Sequence, residues 1–359
     1  MKFTVTQHDL NNALAFVASA IERKTTLPVM ANVMLTAADG RLSLSGSNGE
    51  VEKRITIIAD VEDWGSITVP AAKFLDFAKN ADNSKDITFT VKDNKAIVNS
   101  GRSRWSLQTL PSSEFPEFMS IEGAETLSLD ISKLIDGISR CAPTMAQQDV
   151  RYYLNGMLFD VNGDTMTVVA TDGHRMSSYR IDTNASFERQ AIIPRKAILD
   201  ILKMISKASD ATIEIGKDNV KVAVGEMVMY TKLVDGKFPD YKRVIPNDFN
   251  SSVNLNTEEL RNAVKRTLPL SNQYNAMSFD FVDGSLTIES TNAEHENAVE
   301  VIPASIEGSD INIGFNGAYV MDMLGSISGE DITFNLASSG SSAKIEEGDF
   351  VAVLMPLRL

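Results

Sequence analysis

The side chains able to do acid–base, nucleophilic or metal chemistry are few in this 359-residue chain, and they are scattered. Histidine occurs three times, at His8, His174 and His295, and no two of these stand at metal-ligand spacing. The single cysteine, Cys141, has no histidine near it in sequence and reads as a buried structural thiol rather than a nucleophile. Neither phosphate-cradling glycine loop occurs, and there is no nucleophile elbow. Carboxylates are plentiful, 48 in all, so a paired-acid site is not excluded by inspection. Several of the polar positions already have a task in turns, as in Asp39-Gly40, Asn162-Gly163 and Asp283-Gly284. One dense polar segment stands out, Thr171-Asp172-Gly173-His174-Arg175. It fits either a hydrogen-bonded turn or a functional cluster. No catalytic residue, metal site or cofactor is expected.

The elements that would position such a segment are written three times. A short alternating strand runs into an amphipathic helix from Phe3, again from Leu127 and again from Val253, with the cap-like residues Thr6, Asp130 and Asn256 at the junctions. A hairpin with Asp-Gly or Asn-Gly at its turn starts at Met34, Met157 and Met277. A second strand and helix follow from Ser66, Gln190 and Asp310, the first two copies carrying Pro70 and Pro194 at the junction. A run of strands closes each copy, from Asp86, Ala211 and Asp331. A period of more than 120 residues is too long for a solenoid. The expected fold is therefore α+β: three tandem repeats of one domain, each with two helices packed on antiparallel sheets. The expected domains are 1–120, 121–247 and 248–359, parted by loop-like stretches at 111–125 and 245–252.

Composition is that of an ordinary globular protein, 43% hydrophobic and 23% charged. No apolar run is long enough to span a bilayer, the N-terminus lacks the apolar core of a secretory signal, and one cysteine suits a reducing compartment, so a cytoplasmic protein without membrane contact is expected. The net charge of −14 argues against a uniformly basic nucleic-acid binder. Its distribution is uneven, however. Helices expected at 6–24, 70–82, 131–143, 194–208, 257–268 and 317–328 carry 13 Lys and Arg against 9 Asp and Glu. The strands and loops are therefore strongly acidic, a pattern suited to showing helices to a polyanion.

Longer motifs carry a resemblance. Asp149–Phe159, Thr171–Met176, Lys232–Pro246, Ser100–Pro111, the opening Met1–Val5 and the closing Met355–Leu359 are similar to segments of the bacterial sliding clamps, the beta subunits of DNA polymerase III. The resemblance extends over the whole chain. It implies a head-to-tail homodimer whose six domains form a ring, helices inside, around double-stranded DNA held topologically and without sequence preference. Twelve helices about 10 Å across would enclose an opening of roughly 28 Å, enough for a hydrated duplex. It also implies a non-catalytic processivity factor that tethers the polymerase III alpha subunit, the clamp-loader delta subunit, other polymerases and repair proteins through short peptides.

Residue by residue, the resemblance places a partner-peptide pocket at Leu154, Thr171, Gly173, His174, Arg175, Met176, Pro239, Arg243, Val244, Tyr319, Met355, Pro356, Leu357 and Arg358. His174 is then pocket wall, not ligand or base. DNA contacts are implied at Lys24, Lys73, Gln148, Tyr152, Tyr153 and Lys196. A subunit interface is implied between Arg102, Arg104 and Trp105 and the region of Leu270, Glu294, Glu296 and Glu300. Three positions depart from the family's usual residues: Met176 for a branched aliphatic, Lys24 for arginine and Trp105 for phenylalanine. Two other readings remain: a metal-dependent nuclease or transferase built on scattered carboxylates, and a monomeric scaffold whose ring does not close.

Overall fold

The computed structural model describes residues 1–22 and 25–358. It contains, among those residues, six α-helices: α1 (Gln7–Ala18), α2 (Ala71–Asn80), α3 (Ile131–Cys141), α4 (Arg195–Ile205), α5 (Thr257–Thr267) and α6 (Gly317–Gly325). The cap signals work as the sequence reading expects. The Thr6 hydroxyl, the Asp130 carboxylate and the Asn256 amide oxygen accept backbone N–H bonds from Asp9, Ser132 and Glu259. Pro70 and Pro194 occupy the N-cap positions of α2 and α4, where a missing N–H costs nothing. The helices are shorter than their periodicity suggested. Lys207, counted with α4, lies beyond its end, so the basic excess of the helices is smaller than the sequence estimate. None of the described helices is long and apolar enough to cross a membrane.

The chain forms two compact units. The first comprises Met1–Leu127 with Lys207–Leu233 and holds a five-stranded and a nine-stranded antiparallel sheet. In the five-stranded sheet Lys2–Thr6 lies between Asp60–Asp63 and Asp86–Lys92, followed by Lys95–Ser100 and the edge strand Ser103–Gln108. The nine-stranded sheet joins five strands of the first repeat, ending on Val51–Ile58, to four that begin with Met227–Lys232 of the second. Leu10 and Leu14 of α1, Phe74 and Phe77 of α2, Phe3 and Phe89 of the smaller sheet and Leu35 and Leu44 of the larger fill one buried cluster. Phe3 and Phe89 stack with centroids 4.9 Å apart.

The second unit comprises Ser128–Ser206 and the chain from Val234 onward. Its nine-stranded sheet joins four strands of the second repeat, ending on Arg175–Asp182, to five of the third, beginning with Phe350–Leu354. A four-stranded sheet remains, ordered Asn297–Pro303, Ser285–Thr291, Ala276–Val282 and Ile311–Asn316. Phe315 of this sheet packs against Phe279 of the neighbouring strand and against Phe334 of the nine-stranded sheet. The compact units thus cut the second repeat, because its last strands extend a sheet begun by the first. The edge strands of these open sheets include Ser103–Gln108 in the first unit and Asn297–Pro303 in the second.

Candidate functional site

The polar segment singled out in the sequence is a tight connection between the strands Thr165–Thr171 and Arg175–Asp182. The Asp172 carboxylate accepts the backbone N–H groups of His174 and Arg175 at 2.9 and 3.0 Å. The Thr171 hydroxyl accepts from the Gly173 N–H and donates to the Arg175 carbonyl. Gly173 has φ +86°, and a Cβ there would lie 2.6 Å from the Arg151 guanidinium. The segment is an Asx-type turn carrying an arginine.

That arginine is the hub of the site. Arg175, its side chain only 10% exposed, donates from Nε to Asp172 at 3.0 Å, from Nη1 to Asp322 on α6 at 2.7 Å and from Nη2 to the Pro143 carbonyl at 2.8 Å. Its guanidinium lies 4.2 Å from the centroid of the Tyr319 ring. Arg151 is held similarly, by both carboxylate oxygens of Asp149 and by the Asp172 carbonyl. These bonds from Arg151 hold the Asp149 carboxyl down at about 2, well below the usual carboxylate range. Burial raises the Tyr319 hydroxyl, and burial followed by the bond to Asp160 raises Tyr241.

Between these polar rims lies an apolar recess of about 370 Å³. Leu154, Met176 and Val353 are buried in its floor, Tyr241 backs it, and Val244 and Met355, both about half exposed, form its lips with Pro239. A second recess of about 330 Å³ shares Met355 and is lined by His174, Tyr274, Asn316, Tyr319, Pro356 and Leu357. The His174 ring lies 6.5 Å from that of Tyr319 and nearly parallel to it. A polar recess holding Gln148, Arg195 and Asp322 lies on the other side of Arg175. The carboxylates of Asp149, Asp172 and Asp322 hold arginines. The arrangement suits recognition of an apolar-anchored chain.

The structure thus gathers most of the expected pocket residues: Leu154, Thr171, Gly173, Arg175, Met176, Pro239, Val244 and Met355 in the first recess, His174, Tyr319, Pro356 and Leu357 in the second. Arg243 is not brought in. Its side chain is 85% exposed, lines none of these recesses and pairs with Asp240 at 2.9 Å. Arg151, Tyr241, Ser342 and Val353 in the first recess and Gln273, Tyr274 and Asn316 in the second are additions. Strand alternation, which puts Val353 on the same face as Met355, could have found one of them. Ser342 and Tyr274 sit in loops that carry no such signal.

Of the expected DNA-facing residues, Lys73 on α2 and Lys196 on α4 are exposed. Gln148, with φ +58°, and the exposed Tyr152 lie on the segment between α3 and the strand Gly156–Asn162. Tyr153, the neighbour of Tyr152, turns instead into the lining of the first recess. Lys24 lies outside the described residues. Arg104 and Trp105 lie on the edge strand of the first unit, Arg102 in the turn before it, and Trp105 packs edge-on against Phe77. Glu300 lies on the edge strand of the second unit, Glu294 and Glu296 just before it, and Leu270 in a short helical turn after α5. Glu300 is already held by both Nε and Nη2 of Arg266, at 2.7 and 2.6 Å, within the same chain.

Comparison with known proteins gives a consistent result along the whole chain. Residues 1–119, 128–240 and 242–358 match the families described as the N-terminal, central and C-terminal domains of the DNA polymerase III beta subunit. The beta sliding clamp of Pseudomonas aeruginosa is 40% identical, the match covering 100% of both chains. A crystal structure of the Pseudomonas aeruginosa clamp bound to griselimycin is 39% identical, with TM-score 0.94 and full coverage of both chains. The polymerase III beta of Caulobacter crescentus is 30% identical, with TM-score 0.95 and the same coverage.

Proposed function

Because this chain belongs to the DNA polymerase III beta subunit family, the beta sliding clamps, we propose that it holds its partners through the apolar groove running from Leu154 to Leu357. The chain is a DNA sliding clamp made of three tandem clamp domains, and it confers processivity on the replicative polymerase. The finer statements are our reading: domains at 1–120, 121–247 and 248–359, no catalytic activity of its own, and work in the cytoplasm. Its partners are DNA, a second copy of itself, and proteins such as the polymerase alpha subunit and the clamp-loader delta subunit.

The observation that carries the groove assignment is the pairing of an apolar floor with arginine-braced rims. Leu or Phe anchors of an extended peptide would bury against Leu154, Met176 and Val353, each contributing roughly 1.5–3 kcal/mol. The relative bound to griselimycin indicates that clamps accept ligands, and we place such a ligand on this chain in the same groove.

Ring closure follows from strand arithmetic. In the first unit Arg54 stands opposite Val228 where the first repeat meets the second, and in the second unit Ser178 stands opposite Val351 where the second meets the third. Arg54, Ser178 and Val299 hold the same place in their hairpins, opposite Ser45, Val169 and Glu289. Val228, Val351 and Arg104 are each the second residue of the equivalent strand. The edge strands Ser103–Gln108 and Asn297–Pro303 are therefore the two halves of a third such junction. Joining them between copies sets Arg104 against Val299 of the partner subunit and Trp105 against Ala298 of the partner subunit, antiparallel. A small residue then faces the large indole. Two such junctions close the ring.

Lys73, Lys196, Gln148 and Tyr152 are the residues we assign to the DNA side. A topological link needs only weak, mobile contacts, which reconciles a net charge of −14 with DNA binding. The test is retention of the loaded protein on nicked circular DNA. Loss on linearising the circle is the expected result, and retention on the linear form would refute encirclement.

A further inference from the structure

The groove does not end at its second recess. Tyr274 and Leu357 line both that recess and a third, of about 360 Å³, which also takes in Asn272, Ser278, Glu289 and Arg358. One backbone segment runs beside all three: Met355 borders the first and second, Leu357 the second and third, and Arg358 the third. That segment is fixed by the Met355 N–H donating to the His174 carbonyl at 3.0 Å and the Leu357 N–H donating to the Gly314 carbonyl at 2.8 Å.

The chemistry changes along it. The first recess has a floor of buried aliphatic side chains, whereas the third adds hydroxyls, an amide and two charges of opposite sign to an apolar base of Tyr274, Ala276 and Leu357. Tyr274 stands 66% exposed at the partition. Its N–H donates to the Asn272 side-chain oxygen at 2.9 Å, and its carbonyl accepts from the Asn316 amide at 3.0 Å, so the ring is presented from a fixed turn. Arg358 is exposed and has no ion-pair partner among the described residues.

We propose that this third recess receives the polar residues flanking the apolar anchors of the same partner peptide, with one acidic side chain set against Arg358. The proposal rests on the groove being the partner site. An extended chain advances about 3.3 Å per residue, so a flank of a few residues passes the Tyr274 ring and reaches the third recess. Glu289 across the recess disfavours a second acid there. An exposed pair of this kind contributes little by itself, so the third recess ranks partners that all bind through the same anchors.

The experiment is fluorescence anisotropy of the full-length protein with labelled synthetic peptides. One is a five-residue peptide with Leu and Phe anchors. The others extend it, at either end in turn, by Ser-Asp-Ser or by Ser-Lys-Ser. At one end the Asp extension tightens binding about two- to fivefold while the Lys extension does not. In Arg358→Ala the ratio of extended to unextended affinity falls to one, and in Glu289→Gln the Asp extension gains more. An Asp extension without effect at both ends, or a gain that survives Arg358→Ala, overturns the proposal while leaving the groove in place. Failure of the five-residue peptide to bind removes the groove assignment itself, and this inference with it.

Discussion

Arg175 and Asp322, 147 positions apart, are joined at 2.7 Å between the guanidinium Nη1 and a carboxylate oxygen. The bond ties the polar turn of the second repeat to helix α6 of the third, and both flank the groove. Arg175 is nearly buried with three acceptors, so Arg175→Ala leaves Oδ2 of Asp172 and the Pro143 carbonyl without the donors it supplied. We expect a loss of about 2–3 kcal/mol in equilibrium denaturation. Asp322→Asn keeps an acceptor on a half-exposed side chain and costs less than about 1 kcal/mol.

Met176 forms part of the groove floor and is 3% exposed. Met176→Ala removes that floor and is expected to weaken binding of a Leu- and Phe-anchored peptide by at least about tenfold. Met176→Leu preserves the volume and should retain most of the affinity. Sedimentation of both variants should still show a dimer. Wild-type peptide affinity in Met176→Ala would contradict the groove assignment.

Asp149 titrates at about 2 because Arg151 bonds its charged form. A carboxyl depressed in the folded state stabilises above its unfolded value, near 3.8, and that contribution is lost as pH falls through about 2. The brace between Asp149 and Arg151 should thus be intact at neutral pH and open only in strong acid. In Arg151→Ala the Asp149 carboxyl should rise toward the ordinary range, held partly down by the backbone N–H of residue 151, as read by carboxyl carbon NMR. An unchanged titration would show that Arg151 is not the cause.

The edge-strand junction makes a register-specific prediction. Arg104→Cys combined with Val299→Cys puts thiols on directly opposed positions of two subunits, within disulfide reach. Mild oxidation should give a covalent dimer on a non-reducing gel. Arg104→Cys with Ala298→Cys points the two thiols to opposite faces of the sheet and should not cross-link. A dimer from the second pair and none from the first would refute the register.

Cys141 is fully buried beneath the strand Thr165–Thr171, its Sγ 3.9 Å from the Val168 carbonyl, and burial pushes its thiol far up. It should remain unmodified by a thiol reagent at pH 8 in the folded protein and react fully in denaturant. Rapid labelling of the native protein would contradict its burial.

Much of this protein is local and therefore legible in its sequence. Thr6, Asp130 and Asn256 cap helices because a short polar side chain reaches the free N–H groups of the following turn. Asp39-Gly40 and Asp283-Gly284 adopt positive φ at both residues, as tight hairpin turns need. The threefold recurrence of these signals determined the domain type and its number, and long motifs such as Asp149–Phe159 carried the family. What the sequence did not determine is which residues separated in the chain come together. Arg243 lies in a motif with Pro239 and Val244 yet points to solvent beside Asp240, and Tyr153 parts from Tyr152 to line the groove. Glu300 looked available for a neighbouring subunit but is held by Arg266. Only tertiary structure decides such cases. Side-chain direction and partner choice are set by strand pairing and helix packing between residues tens to hundreds of positions apart, and periodicity along the chain carries no record of them.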